Sequence, residues 1–183
     1  MKNRLSKENC LLVAIDYQEK LVPAMCEKEG LIDASSRLME GFKIFNMPVL
    51  VTEQYPKGLG TTVEEIKSSS PEDAQYFAKS SFSAYDDEGF VEAFKKVNRK
   101  NVVVMGIETH VCEEQTVLDM LGEGCNVYVP ADCVSSRKAF DRDTAIERMK
   151  AAGAIITTYE AILFEILRGA GEAEFKQISK LVK

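Results

Sequence analysis

The stretch from Asn101 to Leu121, NVVVMGIETHVCEEQTVLDML, limits what this chain can fold into more than any other. Val102 to Met105 is an unbroken apolar run rich in β-branched residues, the pattern of a strand covered on both faces in a parallel sheet. Gly106 marks its end. Beyond it the apolar positions fall at 111, 117, 118 and 121, a helical spacing. With Thr109 as N-cap, Cys112 takes the third helical position. The expected unit is a strand, a tight turn and a helix with a thiol in its first turn. Unpaired N–H groups and the positive end of the helix dipole favour a thiolate there. A cysteine of lowered pKa is a nucleophile at neutral pH. Cys112 also fits the pattern of a small buried hydrophobe, as most free cysteines do, and the stretch alone leaves both readings open.

The 183 residues suit one domain, 1–183, able to bury a core without disulfides or metal. With 45% hydrophobic and 28% charged residues, the chain has the composition of an ordinary soluble protein. The net charge is -6 with no dense basic block, so no nucleic acid is expected as partner. No apolar run is long enough to span a bilayer, and MKNRLSKENC has no apolar signal core. No membrane association and a cytoplasmic location are therefore expected. The five cysteines, at 10, 26, 112, 125 and 133, are odd in number and form no CxxC pair, which points to reduced thiols.

In chain order, CLLVAI (10–15) reads as a central parallel strand with Asp16 at its C-terminal end, either at a ligand site or capping a turn. Pro23 limits any helix in the segment that follows. Residues 31–45 carry a helical stripe stopped by Asn46-Met47-Pro48. Val49 to Val51 is a strand, with Thr52, Glu53, Gln54 and Tyr55 at its end. Pro56 to Pro71 reads as loop, and its GxG at 58–60 as turn chemistry. A short strand is expected at 73–78, then Lys79, which taken alone is a solvated surface lysine. Phe90, Val91, Phe94 and Val97 form a helix face, and 126–129 a further strand. A helix from Asp141 closes at Gly153, a last strand covers 154–157, and terminal helices cover 159–167 and 172–182. About six alternations predict a three-layer α/β/α Rossmann-like domain with a mainly parallel six-stranded sheet. Right-handed crossovers then bring Asp16, the residues after Val51, and Gly106 to Cys112 to one edge of that sheet.

A single histidine, His110, narrows the chemistry. It excludes a zinc site built on two histidines within one chain. No GxSxG elbow is present for a serine triad, and no P-loop for phosphates. His110 and Cys112 are two residues apart and would project to different sides of a helix. What is left is a cysteine served by a carboxylate and a lysine: Asp16 as base, and Lys79, near the same sheet edge, holding the thiolate by charge.

These pieces resemble the isochorismatase-like cysteine hydrolase family. The likeness is carried by LLVAIDYQ (11–18), VTEQYPKGLG (51–60), KSSFSAY (79–85), GIETHVCEEQTVLDML (106–121), ADCVSSR (131–137) and RMKAAGAIITTYEAILFEIL (148–167), in that order. It is nearest to the isochorismatase-domain branch. The resemblance implies a catalytic triad of Asp16, Lys79 and Cys112. It also implies a cis peptide at Ile107–Glu108, with an oxyanion hole formed by the N–H groups of Glu108 and Cys112. Gln18, Gln54, Tyr55, Phe82 and Thr116 become substrate-binding candidates, with loop packing and helix surface as their alternative roles. The family's nicotinamidases hold a metal with an Asp and histidines, a set that this chain cannot reproduce. No metal and no cofactor are therefore expected. Glu113 stands where the family often has an apolar residue; an acid suits a helix N-terminus yet opposes a nearby thiolate. The expectation is hydrolysis of a C–N bond in a small-molecule amide or carbamoyl-type substrate by a homo-oligomer. A catalytically weak binding or interaction protein that keeps the fold is the alternative, and a thiol redox sensor a third.

Overall fold

The computed structural model describes residues 4–183. Seven strands form a parallel sheet: β1 (Cys10–Ile15), β2 (Val49–Gln54), β3 (Gln75–Lys79), β4 (Asn101–Ile107), β5 (Asn126–Pro130), β6 (Val134–Ser135) and β7 (Ile155–Thr157). The order is β3-β2-β1-β4-β5-β7, and β6 pairs with the end of β4. The seventh strand, against six expected, is β6. Two residues are too few to show an alternation.

The alternation within β1 divides the core. Cys10, Leu12 and Ala14 face one layer, and Leu11, Val13 and Ile15 the other. The first layer is α1 (Lys28–Ile44), α7 (Tyr159–Leu167) and α8 (Phe175–Leu181), which bring in Leu38, Phe42, Leu163, Ile166 and Ile178. The second is α4 (Glu88–Val97), α5 (Glu114–Gly122) and α6 (Ala139–Ala152), with Phe90, Phe94, Val117, Met120 and Met149. Each large apolar side chain so covered contributes about 1.5–3 kcal/mol. Gly41 lets α1 close on α7, since a Cβ there would lie 2.2 Å from Leu163 Cδ2.

Three expectations change. Pro56 to Pro71 is not all loop but holds two short helices, α2 (Pro56–Leu59) and α3 (Glu64–Ser69). Pro56 sits at the start of α2, where its missing N–H costs nothing, and both helices are too short for a stripe to show. Gly106 does not end β4, which continues to Ile107. It permits a close approach instead, because a Cβ on it would lie 2.4 Å from the Ile15 carbonyl oxygen. The terminal helices are short, nine and seven residues, and α7 buries Ile162, Leu163, Ile166 and Leu167 within its own chain. The second, expected over 172–182, is confined to Phe175–Leu181, while the first keeps its expected bounds. Among the described residues no helix is long and apolar enough to cross a membrane.

The strand order reverses between β1 and β4. In a doubly wound sheet, the crevice beyond the C-terminal ends of those two strands is where ligands bind. Asp16 follows β1, and the segment 108–113 follows β4.

Candidate active site

Asp16 sits directly after Ile15 with a left-handed backbone (φ 55°), its N–H donating to Thr52 O at 3.1 Å. Asp tolerates that conformation better than most residues. Its carboxylate is fully buried and bound on both oxygens. Thr52 Oγ1 donates to Oδ1 at 2.7 Å, and Lys79 Nζ to Oδ2 at 2.8 Å. Lys79 ends β3, two strands away, and reaches across β2, where its register partner is Gln54. The expectation of a solvated lysine fails: both side chains of the pair have zero exposure. Lys79 also donates to Gln54 Oε1 (2.6 Å), Ser81 O (3.1 Å) and Phe82 O (3.0 Å). Its three protons thus face four acceptors, and the ammonium is fixed in place. Such burial of charge is tolerable only with this degree of pairing.

Cys112 does not take the third position of an α-helix. Thr109–Glu113 is a single π-helical turn, and α5 begins at Glu114. Thr109 is not the N-cap, and its hydroxyl is buried without a partner among the described residues. Glu108 precedes the turn, and its carbonyl accepts from Val111 N at 3.0 Å and Glu113 N at 3.4 Å. The Ile107–Glu108 peptide bond is cis. Cys112 is 6% exposed, and its thiol lies close enough to the Asp16 carboxylate and the Lys79 ammonium to feel both charges. Burial pushes this thiol up to about 12, Asp16 adding to the rise and Lys79 opposing it. The resting group is therefore a protonated thiol next to a carboxylate, not the preformed thiolate that a helix N-terminus would give.

The other candidates divide by what their polar atoms touch. Gln54 orients Lys79 through Oε1 and donates Nε2 to Ser80 O at 2.9 Å. Gln18 is buried and binds backbone throughout. Its Nε2 donates to Gln54 O and Gly60 O, and its Oε1 accepts from Gln54 N. Thr116 is also buried; its hydroxyl donates to Cys112 O at 2.7 Å and accepts from Ala84 N. Gln18 and Thr116 brace the site rather than line it. Tyr55 and Phe82 are 60% and 55% exposed and adjoin the residues that hold Lys79.

The acidic pair after Cys112 behaves in two ways. Glu114 pairs with Arg148. Glu113 is fully buried, neither carboxyl oxygen has a partner among the described residues, and burial raises it well above the usual carboxylate range. A neutral acid does not oppose a thiolate by charge. His110 turns away from Cys112, with Nδ1 2.9 Å from Ser136 Oγ. Arg137 holds Glu108 by three hydrogen bonds, a contact with no signal in the sequence because the partners lie 29 residues apart. Among the described residues no group of three His, Cys, Asp or Glu could hold a metal ion.

The isochorismatase domain model matches residues 10–161. The chain is 37% identical to the isochorismatase domain-containing protein 1 of Danio rerio over 98% of its own length. It spans only 62% of that relative. Its fold superposes on the MAR1 ribonuclease of Caenorhabditis elegans with a TM-score of 0.93 at 40% identity, covering 98% of this chain and 92% of the other. The YcaC product of Escherichia coli, described as an octameric hydrolase of unknown specificity, gives a TM-score of 0.91 at 28% identity over 97% and 88% of the two chains. The chain belongs to the isochorismatase domain family and has that family's hydrolase fold.

Proposed function

We propose that the chain is a cysteine hydrolase that cleaves the C–N bond of a small amide or carbamoyl-type substrate. The observation that carries the reading is the fully buried Asp16–Lys79 pair, 2.8 Å apart, with the Cys112 thiol within the influence of both charges. Asp16 takes the thiol proton as Sγ attacks the substrate carbonyl carbon. The oxyanion that forms is received by the N–H groups of Glu108 and Cys112. Asp16 returns the proton to the leaving nitrogen, and the C–N bond breaks to leave a thioester on Cys112. Water, its proton taken by Asp16, hydrolyses the thioester and restores the thiol. Lys79 holds the charge of Asp16 in place throughout. Tyr55 and Phe82 offer apolar surface to the rest of the substrate. The functional unit is a homo-oligomer, as the octameric relative suggests.

The test is hydrolysis of a panel of small amides and carbamoyl compounds by the chain and its Cys112→Ser variant. Loss of turnover with an unchanged circular dichroism spectrum supports the reading, and undiminished turnover ends it. A second reading, a binding protein with an inert thiol, is favoured by the upward shift of Cys112. It predicts no covalent acyl-enzyme with any activated acyl donor. The ribonuclease name of one relative puts RNA in the same panel; with a net charge of -6, no cleavage is expected.

A further inference from the structure

The segment 134–137 is laced to the nucleophile turn residue by residue. Val134 and Ser135 pair with Gly106 and Ile107. Ser136 Oγ meets His110 Nδ1 at 2.9 Å. Arg137 then holds the Glu108 carboxylate: its backbone N donates to Oε2 at 3.0 Å, and Nε reaches Oε1 and Oε2 at 3.2 and 3.0 Å. Glu108 is the residue on which the turn hangs, since its carbonyl accepts from Val111 N and Glu113 N, on either side of Cys112. Its side chain is 13% exposed, against 65% for Arg137. An ion pair between two solvated side chains contributes little. Here one partner is mostly enclosed and is gripped by backbone and side chain of the same residue. Neither residue touches the Asp16–Lys79 pair through any contact described above.

We propose that Arg137 is a positioning residue that fixes Glu108, and through it the backbone N–H that receives the oxyanion. The inference rests on the acyl-transfer reading given above. Arg137 does not meet the reacting atoms; it sets where one donor stands. Without the Nε donor, the Glu108 carboxylate turns toward water and its peptide loses one of its two anchors. Loss of an oxyanion donor lowers kcat by about 10²–10³, and a donor that is displaced but present lowers it less. Arg137→Ala is therefore expected to lose roughly ten- to a hundredfold in kcat with KM little changed, the mark of a defect felt in the transition state. The backbone N–H of residue 137 survives every substitution here except proline, which protects the local fold.

The probe is p-nitrophenyl acetate, followed by p-nitrophenolate release and by intact mass for the acetyl group on Cys112. The full chain is compared with Cys112→Ser, Arg137→Ala and Arg137→Lys. Arg137→Lys is expected between wild type and Arg137→Ala, because an ammonium keeps the charge without the planar N–H. Millimolar guanidinium is expected to restore part of the Arg137→Ala rate, since the vacated position faces solvent, and none of the Cys112→Ser rate. A purely structural role would give no such rescue. Wild-type kcat in Arg137→Ala, or a rise in KM alone, overturns the inference and leaves the hydrolase reading standing. No acetylation of Cys112 in the wild-type chain overturns the hydrolase reading and this inference with it. Should Arg137→Ala fail to fold, Arg137→Gln takes its place in the same comparison.

Discussion

Cys112 lies between opposed influences whose net direction decides how it can react. Burial and the Asp16 charge push its thiol up to about 12, and Lys79 pulls it down without prevailing. At neutral pH such a thiol stays almost wholly protonated. Alkylation by iodoacetamide, resolved by peptide mapping from the other four cysteines, is therefore expected to accelerate about tenfold per pH unit through pH 9. A plateau near neutrality would mean a stored thiolate and would contradict the burial argument. Catalysis then depends on proton transfer to Asp16 as the bond to carbon forms, so acyl transfer can be fast where simple alkylation is slow. The ion pair beside the thiol makes a separate prediction. Lys79→Met leaves the Asp16 carboxylate charged in a site with no exposure, at a cost of about 3–5 kcal/mol. Adding Asp16→Asn to that variant removes the orphaned charge, and much of the stability is expected to return. Urea unfolding of the two variants measures both. Equal stability of the single and double variants would show that the pair is not coupled.

At the scale of elements, the π-helical turn Thr109–Glu113 does what an α-helical first turn would not. It places Cys112 near Asp16 and buries Glu113, with Thr109 Oγ1 and both Glu113 oxygens left without partners among the described residues. Unpartnered buried groups of this kind are costly. Glu113 lessens that cost by keeping its proton: burial raises it well above its ordinary 4.5. From about pH 4.5 upward the unfolded chain has lost a proton that the folded chain retains, so this residue makes stability fall as pH rises. The slope is about 1.4 kcal/mol per pH unit until the folded carboxyl itself titrates. Glu113→Gln has the same shape and no titration. Its urea midpoint is expected to exceed that of the wild type at pH 8 and to approach it near pH 5. Midpoints that differ equally at the two values would remove titration of Glu113 as the cause. The turn also shows where sequence patterns stop: apolar spacing at 111, 117, 118 and 121 reports a helix face, not the extra residue that widens its first turn.

Across the whole molecule, what the sequence made legible was what repeats. Apolar runs at 10–15 and 102–105 announced strands covered on both faces, and their alternation with helical stripes gave the layers and the parallel sheet. Single events were harder to see. The two-residue β6 and the four-residue α2 carry no period, and the Lys79–Asp16 contact spans 63 residues and two neighbouring strands. Elimination and a shared sheet edge put Lys79, Asp16 and Cys112 side by side as candidates, and the family resemblance made them a triad. Gln18 and Thr116 were marked as pocket residues by position, while their hydrogen bonds make them braces. The cysteines, scattered from residue 10 to 133, provide a depth gauge for this architecture. Cys10 and Cys133 have no exposure, Cys112 has 6%, and Cys26 and Cys125 are partly open. A bulky disulfide reagent is therefore expected to modify Cys26 and Cys125 first and Cys112 more slowly. Cys10 and Cys133 should react only as the whole fold opens, since a thiol in the centre of a cooperative core is exposed by global unfolding. Adding sub-denaturing urea should then accelerate the last two together, with the same dependence on urea. Cys10 lies under the α1 layer through β1, and Cys133 precedes β6 on the same side. Different urea dependences for the two would mean that the β6 segment opens separately from the sheet that it joins.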